Sequence, residues 1–470
     1  MIPPFPATAA FRAGRLRALG GVDVDELAQQ HGTPLYVVDE AELRGRMRAY
    51  RRAFGDGVAV TYAAKALCVT GVLQIAAAEG LHLDVASGGE LHTAVRAGFP
   101  AGRIIFHGNN KSVAELEQAV RVGVRHVVVD SFAELERLDA LGRARMRAGG
   151  APVPVLLRIT PGIEAHTHEF ISTGQDDSKF GFTLSAGLAD AAVASARDAQ
   201  GLALAGLHCH VGSQVTVPEA FDAVAEVMVG VFADVQRRHG VALSELNLGG
   251  GLGIAYEPHE EVLDVATYGA RLLAGVHAAC ARRGMPVPRL AVEPGRSIVG
   301  PAGVTLYRVG TRKEIPGVRT YVSVDGGMSD NLRPALYGAR YTFAAAGAPA
   351  DGADRTDGAD GADGADVVTV AGKHCESGDV LGRDVLLAAP VAEGDLLAVA
   401  ATGAYGHAMA SNYNRLARPA MVLVGHGRTR VLVRRETLDD VVARDVVLPD
   451  VTGDEGATGP PAASPYTRAP

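Results

Sequence analysis

Short aliphatic runs alternate with longer amphipathic stretches between about residues 58 and 295, the rhythm of βαβ units in a parallel sheet. Eight runs read as strands: Val58–Ala63, Leu81–Val85, Arg103–Phe106, His126–Val129, Val153–Ile159, Leu202–Leu207, Leu246–Leu248 and Leu290–Val292. Each ends in a polar or Gly-containing segment. The pieces between them carry helical spacing. Val113, Leu116 and Val120 fall on one stripe and Leu135, Leu138 and Leu141 on another, with Ser112 and Ser131 where N-caps belong. Eight such repeats predict a closed (β/α)8 barrel, although counting strands leaves a doubly wound open sheet as the alternative. Polar residues favour closure. Lys65, Ser87, His107, Asp130, Arg158, His210, Gly249–Gly251 and Glu293 each follow the C-terminal end of a strand, and in a barrel those ends converge on one face.

After Arg296 the pattern changes to Val-rich alternating runs, at Gly303–Tyr307, Arg319–Val324, Val367–Val370 and Leu396–Ala400, separated by Gly-Asp, Asp-Gly and Pro-Gly turns. This predicts an all-β second domain, a β-barrel or sandwich. The organisation expected for this α/β chain is an N-terminal segment over 1–34 packing on the β domain, a barrel over 35–300 and the β domain over 301–450. Leu35–Val38 could itself pair with the second domain's sheet, which would make that domain discontinuous in sequence. Within it, Asp recurs at 351, 354, 357, 360, 363 and 366 in a Gly/Ala background. The period is collagen-like but lacks Pro, and a calcium loop is a second alternative. Self-repelling acidic sequence that cannot bury a core predicts a disordered insertion over 351–366. A Gly/Pro/Ala-rich tail over 451–470 is expected to be disordered too.

Charge narrows the function. The chain of 470 residues has 45 Lys+Arg against 53 Asp+Glu, a net −8, and lacks the basic stripe that nucleic acid or an acidic membrane surface would require. No window approaches the run of apolar residues needed for a membrane span, and the N-terminus has no apolar signal region, so the cytoplasm is expected. Four scattered cysteines, Cys68, Cys209, Cys280 and Cys375, make neither a disulfide framework nor a Cys-rich metal site, and no metal is expected.

Several residues carry chemistry. Lys65 directly follows an apolar strand. It reads as a surface lysine, or as an amine whose pKa falls in a low-dielectric barrel mouth and which attacks carbonyls. Gly249–Gly251 either cradle a phosphate with backbone N–H groups or make a tight strand–helix connection. His208 and His210 share a strand face but have no third metal ligand nearby in sequence. Glu293-Pro294-Gly295-Arg296 place a carboxylate and a guanidinium at the eighth strand's end.

In combination the motifs are more specific than any one of them. Tyr62-Ala63-Ala64-Lys65-Ala66, His210–Gln214, Gly249–Gly253, Glu293–Arg296, Asp325–Tyr337, Cys375–Asp379 and Gly403–Gly406 occur in one order, and in this the chain resembles the fold-type-III pyridoxal-phosphate decarboxylases, a family with an alanine-racemase-like barrel, over about residues 35–420. The resemblance implies pyridoxal 5'-phosphate as cofactor, held covalently by Lys65. His210 would stack on its ring. Ser213, Gly251, Pro294, Gly295, Arg296 and Tyr405 would surround it and hold its phosphate, and Glu293 would face its ring nitrogen. A carboxylate there keeps that nitrogen protonated and suits decarboxylation over racemisation.

The activity implied is conversion of meso-2,6-diaminopimelate to L-lysine and carbon dioxide, the last step of lysine biosynthesis. Arg296, Arg333, Tyr337 and Tyr405 would hold the distal carboxylate, Glu376 the distal ammonium, and Cys375 would return a proton to Cα. Taken singly, each of these is a solvated surface residue or a buried thiol. The alternatives are a decarboxylase of ornithine, arginine or lysine, and a catalytically silent cofactor-binding regulator, against which the presence of both Lys65 and Cys375 counts. A homodimer with active sites shared between subunits is also implied.

Overall fold

The computed structural model describes residues 4–162, 178–350 and 366–448. The expectations for most of the acidic repeat and for the tail fall outside them. Eight parallel strands, Val58–Ala63, His82–Val85, Ile104–Phe106, His126–Val129, Val153–Thr160, Leu202–His208, Glu245–Asn247 and Arg289–Val292, pair in sequence order. The last pairs with the first, Leu290 opposite Val58 and Val292 opposite Val60, which closes the barrel. Phe182–Thr183 adds a short ninth strand beside the fifth.

Period-two alternation gives the barrel its two faces. Ile104, Val127, Val129, Val155 and Leu157 belong to the large core between strands and helices. Their neighbours Ile105, Val128 and Leu156 form a small separate cluster on the other side, inside the barrel. His107, Asp130 and Arg158 lie two residues further along the same three strands. They therefore cap that inner apolar layer at its C-terminal end.

The helices form as their caps dictate. Ser112 accepts from the Glu115 N–H while Glu115 reaches back to Ser112, and Ser131 caps the helix Phe132–Arg147. Val113 is half exposed, so the inward stripe of its helix runs through Leu116 and Ala119 instead.

The second domain is built on a twelve-stranded sheet. Leu35–Asp39 lies in it, antiparallel to Gly303–Ile315 and parallel to Ala420–Gly425. The barrel accordingly starts after residue 39 rather than at 35, because Leu35 and Val37 bury among Val304, Leu306 and Val422. Residues Ala10–Asp23 add three further strands, and Arg15 is buried against Asp395 at 3.3 Å. Asp366 opens the strand Asp366–Ala371 and forms a two-pronged pair with Arg312, so it belongs to the sheet and not to the acidic insertion. Among the described residues no helix is long and apolar enough to cross a membrane.

Candidate active site

The eighth strand delivers Glu293 to the barrel mouth, where it is buried. Its Oε1 lies 2.8 Å from His107 Nε2 and accepts from Asn247 Nδ2 at 2.7 Å, and its Oε2 lies 3.1 Å from His208 Nε2. Burial alone would protonate this carboxyl, but the two histidines outweigh it and hold Glu293 well below the usual carboxylate range. They do so unequally. Burial depresses His208 to about 4, leaving it a neutral donor. His107 is also penalised by burial, but Asp84 and Glu293 overcome that penalty and raise it above the usual imidazole value. Sequence offered no third partner for His208. The fold brings His107 and Glu293 to it, with ligand-type atoms of all three within 4.8 Å of one another.

Lys65 follows the first strand in a single helical turn, Ala64–Ala66, and stands in the mouth, open to solvent but ringed by protein. Its amine is raised rather than lowered as expected, since the charges of Asp84, Tyr405 and Glu293 overcome the cost of burial. Lys65 is thus an ammonium here, and must lose a proton before attacking a carbonyl. Arg158, 3.8 Å from Asp130 and over the Phe180 ring at 4.2 Å, completes the inner rim.

One strand removed from that of the lysine, the glycine run threads between the ends of the sixth and eighth strands at backbone distance. A Cβ on Gly250 would sit 2.1 Å from the Glu293 carbonyl oxygen, and one on Gly251, at φ +124°, 2.8 Å from that of Gly212. No side chain fits, which leaves a backbone-lined cradle. His210 Nδ1 accepts from the Gly250 N–H at 3.3 Å, and burial with the nearby Lys65 charge keeps its ring neutral by pushing its pKa well below the ordinary value. Pro294 and Gly295 lead into the short helix Arg296–Val299, and the Pro294 carbonyl accepts from the Ala63 N–H at 3.1 Å.

Arg296 donates to Ser213 Oγ at 2.9 Å and to the Tyr256 hydroxyl, and its guanidinium carbon stands 4.9 Å from the Tyr405 ring centroid. Its Nε is buried with no hydrogen-bond partner among the described residues. Arg333, buried, donates to the Tyr341 hydroxyl at 2.6 Å and lies over the Tyr256 ring at 4.7 Å. Tyr256 therefore joins the two guanidiniums. Neither it nor Tyr341 was singled out from sequence, since a tyrosine beyond a glycine run carries no distinguishing pattern. His107 was visible only as a polar residue at a strand end, and Asp84 and Asn247 were not singled out.

Cys375, Glu376 and Tyr337 are not drawn into this cluster. Cys375 is exposed, its N–H bonded to Asn414 Oδ1 at 2.9 Å. Glu376 accepts from the Gly378 N–H at 3.2 Å and lies 3.4 Å from the Tyr413 hydroxyl. Their turn is pinned by Asp379, which receives the His374 and Met328 N–H groups. Tyr337 is 65% exposed beside Leu336, itself 53% exposed.

The donor set fits a pyridoxal phosphate: an amine, an ionised carboxylate whose Oε2 has a lone pair to spare, a neutral flat ring, and a backbone cradle beside a serine and an arginine. Residues 40–300 match the family model for the pyridoxal-binding domain of pyridoxal-dependent decarboxylases. The chain is 47% identical to the diaminopimelate decarboxylase of Bacillus subtilis over 93% of this chain and 96% of that one. It is 45% identical to that of Mycobacterium tuberculosis H37Rv over 91% and 94%. A crystal structure of the M. jannaschii diaminopimelate decarboxylase in complex with L-lysine superposes with a TM-score of 0.86 at 33% identity, covering 95% of this chain and 99% of that one.

Proposed function

The chain belongs to the pyridoxal-dependent decarboxylases, and on that premise we propose that its barrel mouth binds pyridoxal 5'-phosphate and removes one carboxylate of meso-2,6-diaminopimelate, releasing L-lysine and carbon dioxide. The observation that carries this reading is the buried, ionised Glu293, bonded by His208 and Asn247 and paired with His107 in the mouth that also holds Lys65. When bound, the cofactor supplies an electron sink for the charge left at Cα as carbon dioxide departs.

The chain's own residues do the rest. Lys65 would hold the cofactor through its amine. Glu293 Oε2 would accept the hydrogen bond of the protonated ring nitrogen. The neutral imidazole of His210 would pack on the ring, and Ser213, Gly251, Pro294, Gly295, Arg296 and Tyr405 would hold the phosphate end. Arg333 and Arg296, fixed by Tyr256, present forked donors to the substrate's distal carboxylate, a group that ornithine or lysine lacks. Cys375 delivers a proton to Cα, Glu376 pairs with the distal ammonium, and Tyr337 closes the distal end.

Of these, Cys375 and Glu376 come from a second subunit of a homodimer. Supporting this, both are exposed on a domain separate from the lysine. The enzyme works in the cytoplasm, in keeping with its four unpaired thiols. Carbon dioxide release from meso-diaminopimelate, ornithine, lysine and arginine, compared side by side, tests the substrate; equal or faster turnover of a diamine precursor would overturn it.

A further inference from the structure

Glu293 could be held in the barrel mouth in two ways, by neutral donors alone or with a cation among them. The contacts divide by strand and by kind. Oε1 accepts one hydrogen bond, from Asn247 on the seventh strand at 2.7 Å, and stands 2.8 Å from His107 Nε2, after the third strand, as an ion-pair contact. Oε2 receives one, His208 from the sixth, at 3.1 Å. Each carboxylate oxygen has two lone pairs; Asn247 and the His107 ring crowd Oε1, whereas Oε2, which accepts from His208, retains one direction for a further donor.

His107 is the group with its own counter-charges. Asp84 on the second strand lies 3.9 Å from its Nε2, and the His208 ring meets it edge-on at 4.7 Å between centroids. Arg158 opposes its protonation, and Glu90, after the second strand, favours it. The loop that carries His107 is itself anchored. Buried Lys111 bonds the Gly108 carbonyl at 2.5 Å and that of Val128 at 2.9 Å, and pairs with Glu134 at 2.8 Å, which holds the backbone that carries the imidazole.

We propose that His107 is a positioning residue: as an imidazolium on Oε1 it keeps Glu293 ionised and turned so that Oε2 is left to the cofactor's ring nitrogen, whereas His208 serves as a neutral donor only. The inference rests on the cofactor reading above, and supplies the reason a carboxylate buried this deeply stays charged before any cofactor arrives. Two independent lines bear on it, the contact of His107 Nε2 with Oε1 and the placement of Asp84. The expected titration of the two imidazoles agrees with both.

Two measurements test it. In the cofactor-free protein, the His107 ring resonance is followed by NMR against pH. It should titrate above about 6.5, the ordinary imidazole value, and fall below it in Glu293→Gln. A wild-type value below 6.5 overturns the proposal, whatever the variants do. In the second, cofactor affinity is measured against pH for the wild type, His107→Gln and His208→Gln. Wild type and His208→Gln should hold their affinity towards acid. His107→Gln should lose about tenfold as pH falls from 7 to 5, because Glu293 then takes up a proton; a tenfold loss corresponds to about 1.4 kcal/mol. Superimposable profiles for the two glutamine variants would mean that both histidines are merely structural, and would defeat the assignment. Borohydride labelling of Lys65 in the same preparations keeps the site reading separate. An unlabelled Lys65 in wild type refutes the cofactor site, and a labelled one with unchanged profiles refutes only the role of His107.

Discussion

The backbone N–H of Tyr405 donates to the carbonyl oxygen of Ala66 at 2.9 Å, one residue beyond Lys65. Tyr405 adopts φ +59°, a left-handed conformation unusual for tyrosine. That turn sets its ring by Arg296 and ties a loop of the β domain to the turn that carries the lysine. The two domains thus share one site wall through main-chain atoms, which substitution of neither side chain would sever.

Lys65→Ala should abolish covalent attachment of the cofactor while leaving weak binding in the cradle. The visible absorption band of the holoenzyme should disappear from that variant, and borohydride reduction of wild type followed by peptide mapping should label Lys65. A label on any other lysine would refute the anchor.

Arg333→Ala should raise KM for diaminopimelate and lower kcat/KM by the equivalent of ~2–5 kcal/mol, the usual cost of leaving a buried charge unpaired. Glu376→Ala should move the same parameters in the same direction. Deleting Gly352–Ala365, which spares the Arg312 partner Asp366, should change neither. Steady-state kinetics decide, and a deletion more damaging than Arg333→Ala would mean the substrate residues are misassigned.

Lys65→Ala and Cys375→Ala homodimers should each be nearly inactive. Refolded together in equal amounts, random pairing makes half the dimers mixed, each with one intact and one doubly altered site, so about a quarter of wild-type activity should return. Mixed dimers confirmed by differential tags but showing no recovery would place Lys65 and Cys375 in one subunit's site.

Stability should fall as pH drops from about 6.5 towards 4. His126, buried beneath Val128 with its Nδ1 3.6 Å from Glu245, is pushed down to about 4, chiefly by burial. Between that value and the unfolded one of about 6.5 the unfolded chain binds the extra proton, so unfolding is favoured as pH falls. Each histidine so depressed contributes roughly 3 kcal/mol over that window. Denaturant unfolding across pH 4–7 should show the slope, and His126→Gln should flatten it. An unchanged slope would mean that His126 binds its proton as readily in the native state as in the unfolded chain.

Much of the molecule was legible in its sequence because the signals are local. Aliphatic runs such as His126–Val129 can bury both faces only in a parallel sheet with helices outside. Ser112 with Glu115 fixes a helix start through bonds three residues apart. Lys65, Glu293 and the glycine run, each at a strand's end, were bound to meet once the barrel closed. Tertiary structure decided what depends on distant partners. Leu35–Asp39 reads like any strand, and only the apolar surface of Val304 and Val422 assigns it to the β domain. Tyr256 gains its place by reaching two arginines at once. The charge of Lys65 follows from Asp84 and Glu293, on two other strands. Periodicity fixes which face a side chain takes, but protonation and pairing are set by charges that adjoin only in the folded chain.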